Sequence, residues 1–179
     1  SPEAYIIRTD YKPPTAETSV QWLKEHNDAR LTFYEENNVT FAPMVWSDSL
    51  MQAAANRANA IAPTCGSGPA NTDPWGENVA RTTFVGYNEK YVKPEWVFNG
   101  WNDPVNAPWV FRQAMWRPTR YVGCASNITQ MYEDGPYCHV AVCKYTRPGN
   151  CGIVEETWLN QTLADYSSCG PPCPDDGCH

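Results

Sequence analysis

Through SVQWLKEHNDARLTFYEEN, residues Val20, Leu23, Asn27, Leu31 and Tyr34 recur at three-to-four spacing, which predicts a helix with one apolar stripe and Thr18 or Ser19 at its cap. A second helix is predicted to open at Ser47 or Asp48, whose side chain can accept from the unpaired first-turn amides. It continues as SLMQAAANRANAIA until Pro63 stops it. Its many alanines suit close packing on something flat. TCGSGPANTDPWG reads as loop up to Gly76, after which the chain turns apolar, and Pro94 fits the first turn of a short helix, PEWVFNGW. Beyond Pro118 the pattern changes. RYVGCAS and YCHVAVCKY alternate or run apolar, and NITQMYEDGP between them carries a turn signal. Helices first and a hairpin later predict an α+β fold, with helices over an antiparallel sheet.

Composition supports a single packed domain. The chain has 179 residues, 42% hydrophobic and 13% aromatic, enough for one core and not the composition of a disordered segment. No run of about 18 apolar residues suggests a membrane span. The opening SPEAYIIRTD has no charged-then-apolar leader, so any export signal is expected to have been cleaved already. Residues 1–17, with Pro2, Pro13 and Pro14, read as an extended lead-in. A net charge of −7, with the 13 basic residues scattered, argues against nucleic acid as a partner.

Eight cysteines, Cys65, Cys124, Cys138, Cys143, Cys151, Cys169, Cys173 and Cys178, favour four disulfides over a zinc cluster. Strand alternation in CHVAVCKY would send Cys138 and Cys143 to opposite faces, which a shared metal site forbids. Three glycosylation sequons, at Asn38, Asn127 and Asn160, point with the cysteines to a secreted glycoprotein.

Four segments in order then carry a resemblance: LKEHNDAR, WGENVA, FRQAMWRPTRYVGCA and HVAVCKYTRPGN. They resemble the signature blocks of the CAP superfamily, which groups cysteine-rich secretory proteins, insect venom antigen 5 and plant pathogenesis-related 1 proteins. The resemblance implies a three-layer α-β-α sandwich over residues 18–152, followed by a cysteine-rich extension, 153–179, packed on it. It also implies that Cys65 pairs with Cys138 and Cys124 with Cys143, leaving the pairing of the four later cysteines open.

Family members resembling this chain carry a cleft of two histidines and two acids that holds a divalent ion. Here Glu77 matches the glutamate of the GEN block. Gly66, however, stands opposite the first histidine and Val110 opposite the second. The other acid falls on Asn99, or beside Asp103 in a shifted alignment. One carboxylate is too few for a zinc site, which needs about three ligands or more, so no cofactor is expected. The three histidines, His26, His139 and His179, are far apart in sequence, read as structural or incidental, and offer no catalytic triad.

Aromatics crowd the segment from Phe84 to Trp116. Core packing absorbs some of them, but their number points to an apolar cleft as well, with Trp96, Phe98, Trp101, Trp109 and Phe111 as candidate lining. With an aliphatic Val110 replacing a histidine, burying an alkyl surface costs less. The resemblance implies sterols or fatty acids as ligands. The resulting expectation is a secreted, non-enzymatic CAP glycoprotein that binds lipid and makes peripheral contact with membranes. Loss of both cleft histidines resembles helminth venom-allergen-like members. A second reading is an effector that binds a host receptor or plasma protein.

Overall fold

The computed structural model describes residues 8–10, 16–66 and 68–165. A mixed sheet lies between two helical layers. Its order is β1 (Arg8–Asp10), β4 (Tyr121–Gln130), β5 (Tyr137–Thr146) and β3 (Gly76–Phe84). These strands run antiparallel to their neighbours, but β2 (Val45–Trp46) pairs with β4 in parallel, so the sheet is not purely antiparallel as the pattern predicts. A strand of two residues is too short to show a periodicity.

Among the described residues, α2 (Asp48–Ile61) is the one helix on its face of the sheet. Ser47 caps it, its Oγ accepting from the Leu50 amide at 3.3 Å. Ala54, Ala55 and Ala58 lie flat on Ala125, Val140 and Val142. The approach is close enough that a Cβ on Gly123 would stand 2.1 Å from the Met51 nitrogen, so only glycine fits there.

The other face holds α1 (Ala16–Glu36), α3 (Pro94–Trp101) and α4 (Pro108–Met115), gathered over Cys124, Ala141, Cys143 and Tyr145. α1 buries a stripe rotated from the one hydropathy predicts, sharing Tyr34 with it. Of the predicted stripe, Tyr34 is buried and Leu23 packs on the core, but Val20 and Leu31 are exposed; the fully buried row is Trp22, His26, Arg30 and Tyr34, at four-residue intervals. The polar members of that row are hydrogen-bonded throughout, so burial costs them little. Asn27 beside them holds β2 in place, donating to the Met44 carbonyl at 3.1 Å and accepting from its amide at 2.8 Å.

Disulfides Cys65–Cys138 and Cys124–Cys143 fasten opposite faces of the sheet, the first spanning 73 residues. A loop of that length is worth about 4 kcal/mol in the chain-entropy model. Cys151 is disulfide-bonded as well; Cys169, Cys173, Cys178 and His179 lie outside the described residues. Of the C-terminal extension, α5 (Trp158–Leu163) packs on α4. Trp158 meets Phe111 edge-on at 6.5 Å, and the Arg117 amide donates to the Thr162 carbonyl at 2.9 Å.

Candidate functional site

At the β3–β5 end of the sheet, on the α2 side, lies a fully buried lysine. Lys144 is 0% exposed and sits opposite Glu77 in the β3–β5 ladder. Its ammonium has three N–H bonds and three acceptors: Glu77 Oε2 at 2.6 Å, Asp73 Oδ2 at 2.8 Å and Asn71 Oδ1 at 3.0 Å. Arg57 of α2 reaches the same Glu77 oxygen through Nε at 3.1 Å and also donates to the Pro69 carbonyl. Two acids and two bases thus cancel in a small volume. The 71–75 loop is folded around them, with Asp73 Oδ1 accepting from the Trp75 amide at 3.1 Å.

The four predicted cleft positions do not converge. Glu77 and Gly66 belong to the α2 face, where a Cβ on Gly66 would meet the Arg81 side chain of β3 at 3.6 Å. Val110 and Asn99 belong to helices of the opposite face, Val110 packed on the core and Asn99 exposed. Strand alternation explains the separation: the residue that points at α4 is Asn78, whose amide donates to the Val110 carbonyl at 2.9 Å. Asp103 is exposed and caps its own loop. Bonds from the Asn106 and Val105 amides hold its carboxyl below the usual carboxylate range.

Of the two described histidines, His26 is bonded into the core through both ring nitrogens. His26 Nδ1 faces the Trp22 carbonyl at 2.8 Å, an atom that can only accept, so this nitrogen carries the proton. Nε2 then accepts from the Tyr145 hydroxyl at 2.7 Å, which accepts in turn from Asn78 at 3.2 Å. Burial lowers His26 to about 4 and pushes the Tyr145 phenol up. His139, in β5, is likewise lowered to about 4 by burial. Among the described residues, His26, Cys124 and Cys143 bring potential ligand atoms within 4.8 Å. Both sulfurs are spent in their disulfide and both His26 nitrogens are engaged, so no ion fits there.

The predicted lipid-lining aromatics divide sharply. Phe98, Trp101 and Phe111 are buried in the core: Trp101 stacks on Trp22 at 5.7 Å, Phe98 lies 4.7 Å from His26, and Phe33 meets Phe111 edge-on at 5.2 Å. Their packing on α1 is what removes them from any open surface. Trp96 is half-buried and abuts Tyr91 at 5.0 Å. Trp109 is 57% exposed. A second aromatic group, not singled out by sequence as a unit, forms where β3 and β5 end. Phe84 stacks on Tyr137 at 5.9 Å and touches Tyr91 at 5.6 Å, and Tyr87 stands edge-on to Tyr137 at 6.0 Å. The cross-strand pairing Phe84–Tyr137 is the register signal that could have found it.

The profile of the cysteine-rich secretory protein family, CAP, matches residues 23–145. This chain belongs to the CAP family. A pathogenesis-related protein PR-1 from Medicago truncatula is 32% identical over 138 residues, covering 73% of each chain. Among solved structures, MpPR-1i superposes with a TM-score of 0.54 at 20% identity, covering 84% of this chain and 96% of that one. BmVAL-1 gives 0.57 at 19%, covering 76% and 79%. Na-ASP-1 gives 0.59 at 18%, covering 94% of this chain and 44% of its own. These three likenesses show the fold.

A divalent cation, which resemblance to other CAP proteins would bring, does not fit this donor set. The Glu77 carboxylate is already matched by Lys144 and Arg57, and an added cation would face their charge at close range. The ammonium of Lys144 holds the place against the acid that a metal would need.

Proposed function

We propose that this CAP protein is a secreted, non-catalytic binder of an apolar ligand of the sterol or fatty-acid class, working without a metal. The aromatic group at the end of the sheet carries the reading. Phe84, Tyr87, Tyr91, Trp96 and Tyr137 adjoin one another and grade from buried to half-exposed, with Tyr87 48% exposed. Such a graded aromatic surface gains from covering an alkyl body, at about 25 cal/mol per Å² removed from water. The neutral cluster around Lys144 supports the metal-free part, since no carboxylate or imidazole in it is left to ligate or to move a proton. Disulfides support an oxidising compartment.

Equilibrium binding of a labelled sterol and a labelled fatty acid, with and without chelator, tests this. Saturable binding of at least one probe, unchanged by chelator, is the expected result; saturable binding of neither ends the proposal.

The sequons bear on secretion separately. Asn38 and Asn160 are exposed, Asn38 in a left-handed turn just past α1. Asn127 is 2% exposed, donates to Asn59 at 2.7 Å and accepts from the Thr129 hydroxyl at 3.1 Å, which argues against a glycan there. That burial favours glycans at Asn38 and Asn160 over one at Asn127. Peptide mapping of the secreted protein should find glycan on the Asn38 and Asn160 peptides and an unmodified Asn127 peptide.

A second reading draws on α4. Trp109 and, just before the helix, Val105 are exposed, the latter 82%, and the Arg112 guanidinium lies 5.8 Å from the Trp109 ring and 4.9 Å from that of Trp158. Exposed apolar groups of this kind suit a protein partner or the surface of a membrane. Trp109→Ala should leave lipid binding intact if that surface serves another partner.

A further inference from the structure

His139 is an anomaly that the fold does not resolve. It is 0% exposed, yet among the described residues neither ring nitrogen has a hydrogen-bond partner. Leaving such a group unpaired costs roughly 1–3 kcal/mol, and buried orphans of this kind often mark a place where another molecule belongs.

Its position says which molecule. In the ladder His139 lies between Thr82 of β3 and Ile128 of β4, so the three share the sheet face opposite α2. The same face carries Ala80, Ala141 and Ser126, all small, and two residues further along the strands it carries Phe84 and Tyr137. Thr82, Ala80 and Ser126 are half-buried, so the buried ring is flanked by small side chains that still meet solvent. The aromatic group described above therefore begins next to an imidazole with no partner.

Burial keeps that imidazole neutral at physiological pH, with one N–H to give and one lone pair to offer. A hydroxyl can satisfy either nitrogen, donating or accepting as needed. A carboxylate can only accept, and it would bring an unscreened charge onto an apolar face.

Resting on the apolar-ligand reading, we propose that this site takes an uncharged lipid bearing a single hydroxyl, a sterol or a long-chain alcohol, with its hydroxyl on His139 and its hydrocarbon against Phe84, Tyr91, Trp96 and Tyr137. The ligand supplies the bond that the folded chain withholds. Specificity for a hydroxyl over a carboxylate follows from one residue.

The test measures binding of radiolabelled cholesterol, hexadecanol and oleate, and of a cholesterol analogue lacking the 3-hydroxyl, to the full chain and to His139→Leu. The wild type should bind cholesterol or hexadecanol, and His139→Leu should weaken that binding about tenfold, the worth of one good hydrogen bond. Removing the hydroxyl from the sterol should cost the wild type a similar factor and the variant nothing. Because His139→Leu removes two orphaned polar atoms, it should fold at least as stably as the wild type; thermal unfolding confirms that the comparison is fair. Even if the variant failed to fold, the two sterols on wild-type protein still decide. Equal affinity for both sterols, or binding of oleate alone, overturns this proposal and leaves the apolar-ligand reading standing. No binding of any probe removes both.

Discussion

Replacing Arg30 with lysine is expected to destabilise the protein by about 4 kcal/mol, seen as a lower denaturant midpoint at unchanged slope. The guanidinium is 0% exposed and its donors reach five carbonyls: Ala42, Ala114, Trp116, Arg117 and Thr119, at 2.9 to 3.3 Å. Those from Ala114 onward lie at the end of α4 and in the turn into β4, past the last helical amides, although the Trp116 carbonyl also accepts from the Thr119 amide at 3.0 Å. The Tyr34 hydroxyl adds a bond to the Met115 carbonyl at 2.8 Å in the same group. Lysine carries three N–H bonds at one point and cannot span that fork, so at least two of the five carbonyls lose their side-chain donor, at roughly 1–3 kcal/mol for each that has no other partner. The ring of Tyr34, 5.2 Å from the guanidinium carbon, loses its cation as well. A loss below about 1 kcal/mol would mean that the turn is held by something else.

Acid should unfold the protein through its histidines before its carboxylates protonate. Burial lowers both His26 and His139 from 6.5 to about 4, so the folded state keeps them neutral while the unfolded chain takes protons near 6.5. The stability these neutral rings contribute is complete above pH 6.5 and is lost as pH falls from there to about 4. Each shift corresponds to roughly 3 kcal/mol at the acid end. Denaturant unfolding at steps between pH 7 and pH 4 should therefore show a steep decline, and His139→Leu should remove about half of it. A flat profile across that window would show that the rings are accessible to protons in the folded state.

Much of the fold was legible. α2 announced itself through a capping serine and a run of alanines, and both did what their chemistry suggests. The strands of the hairpin were read from alternation and a turn signal, and the order of blocks led to the three-layer sandwich. α1 was found but its buried side was misjudged. Hydropathy ranks Val20 and Leu31 above His26 and Arg30, and it cannot know that the latter have every polar atom matched across the core. The pattern named no helix at α4, although Pro108 at its first turn was a usable sign.

The site was less accessible. That Glu77 is an isolated acid among absent histidines was visible; that it is bound to Arg57 and Lys144 was not, because the partners lie 20 and 67 residues away. A single hint existed. Lys144 interrupts an otherwise apolar strand, and a charge in such a strand must find a counter-charge. Likewise, assigning Phe98, Trp101 and Phe111 to a ligand surface overlooked how much aromatic volume is needed to seat α1 on the sheet.

The central claim is that protein cations, not a metal, balance Glu77. Metal analysis of the purified protein after dialysis against zinc tests it most directly. The account predicts far less than one zinc per chain. About one tightly held zinc per chain, released when Glu77 is changed to glutamine, would contradict it.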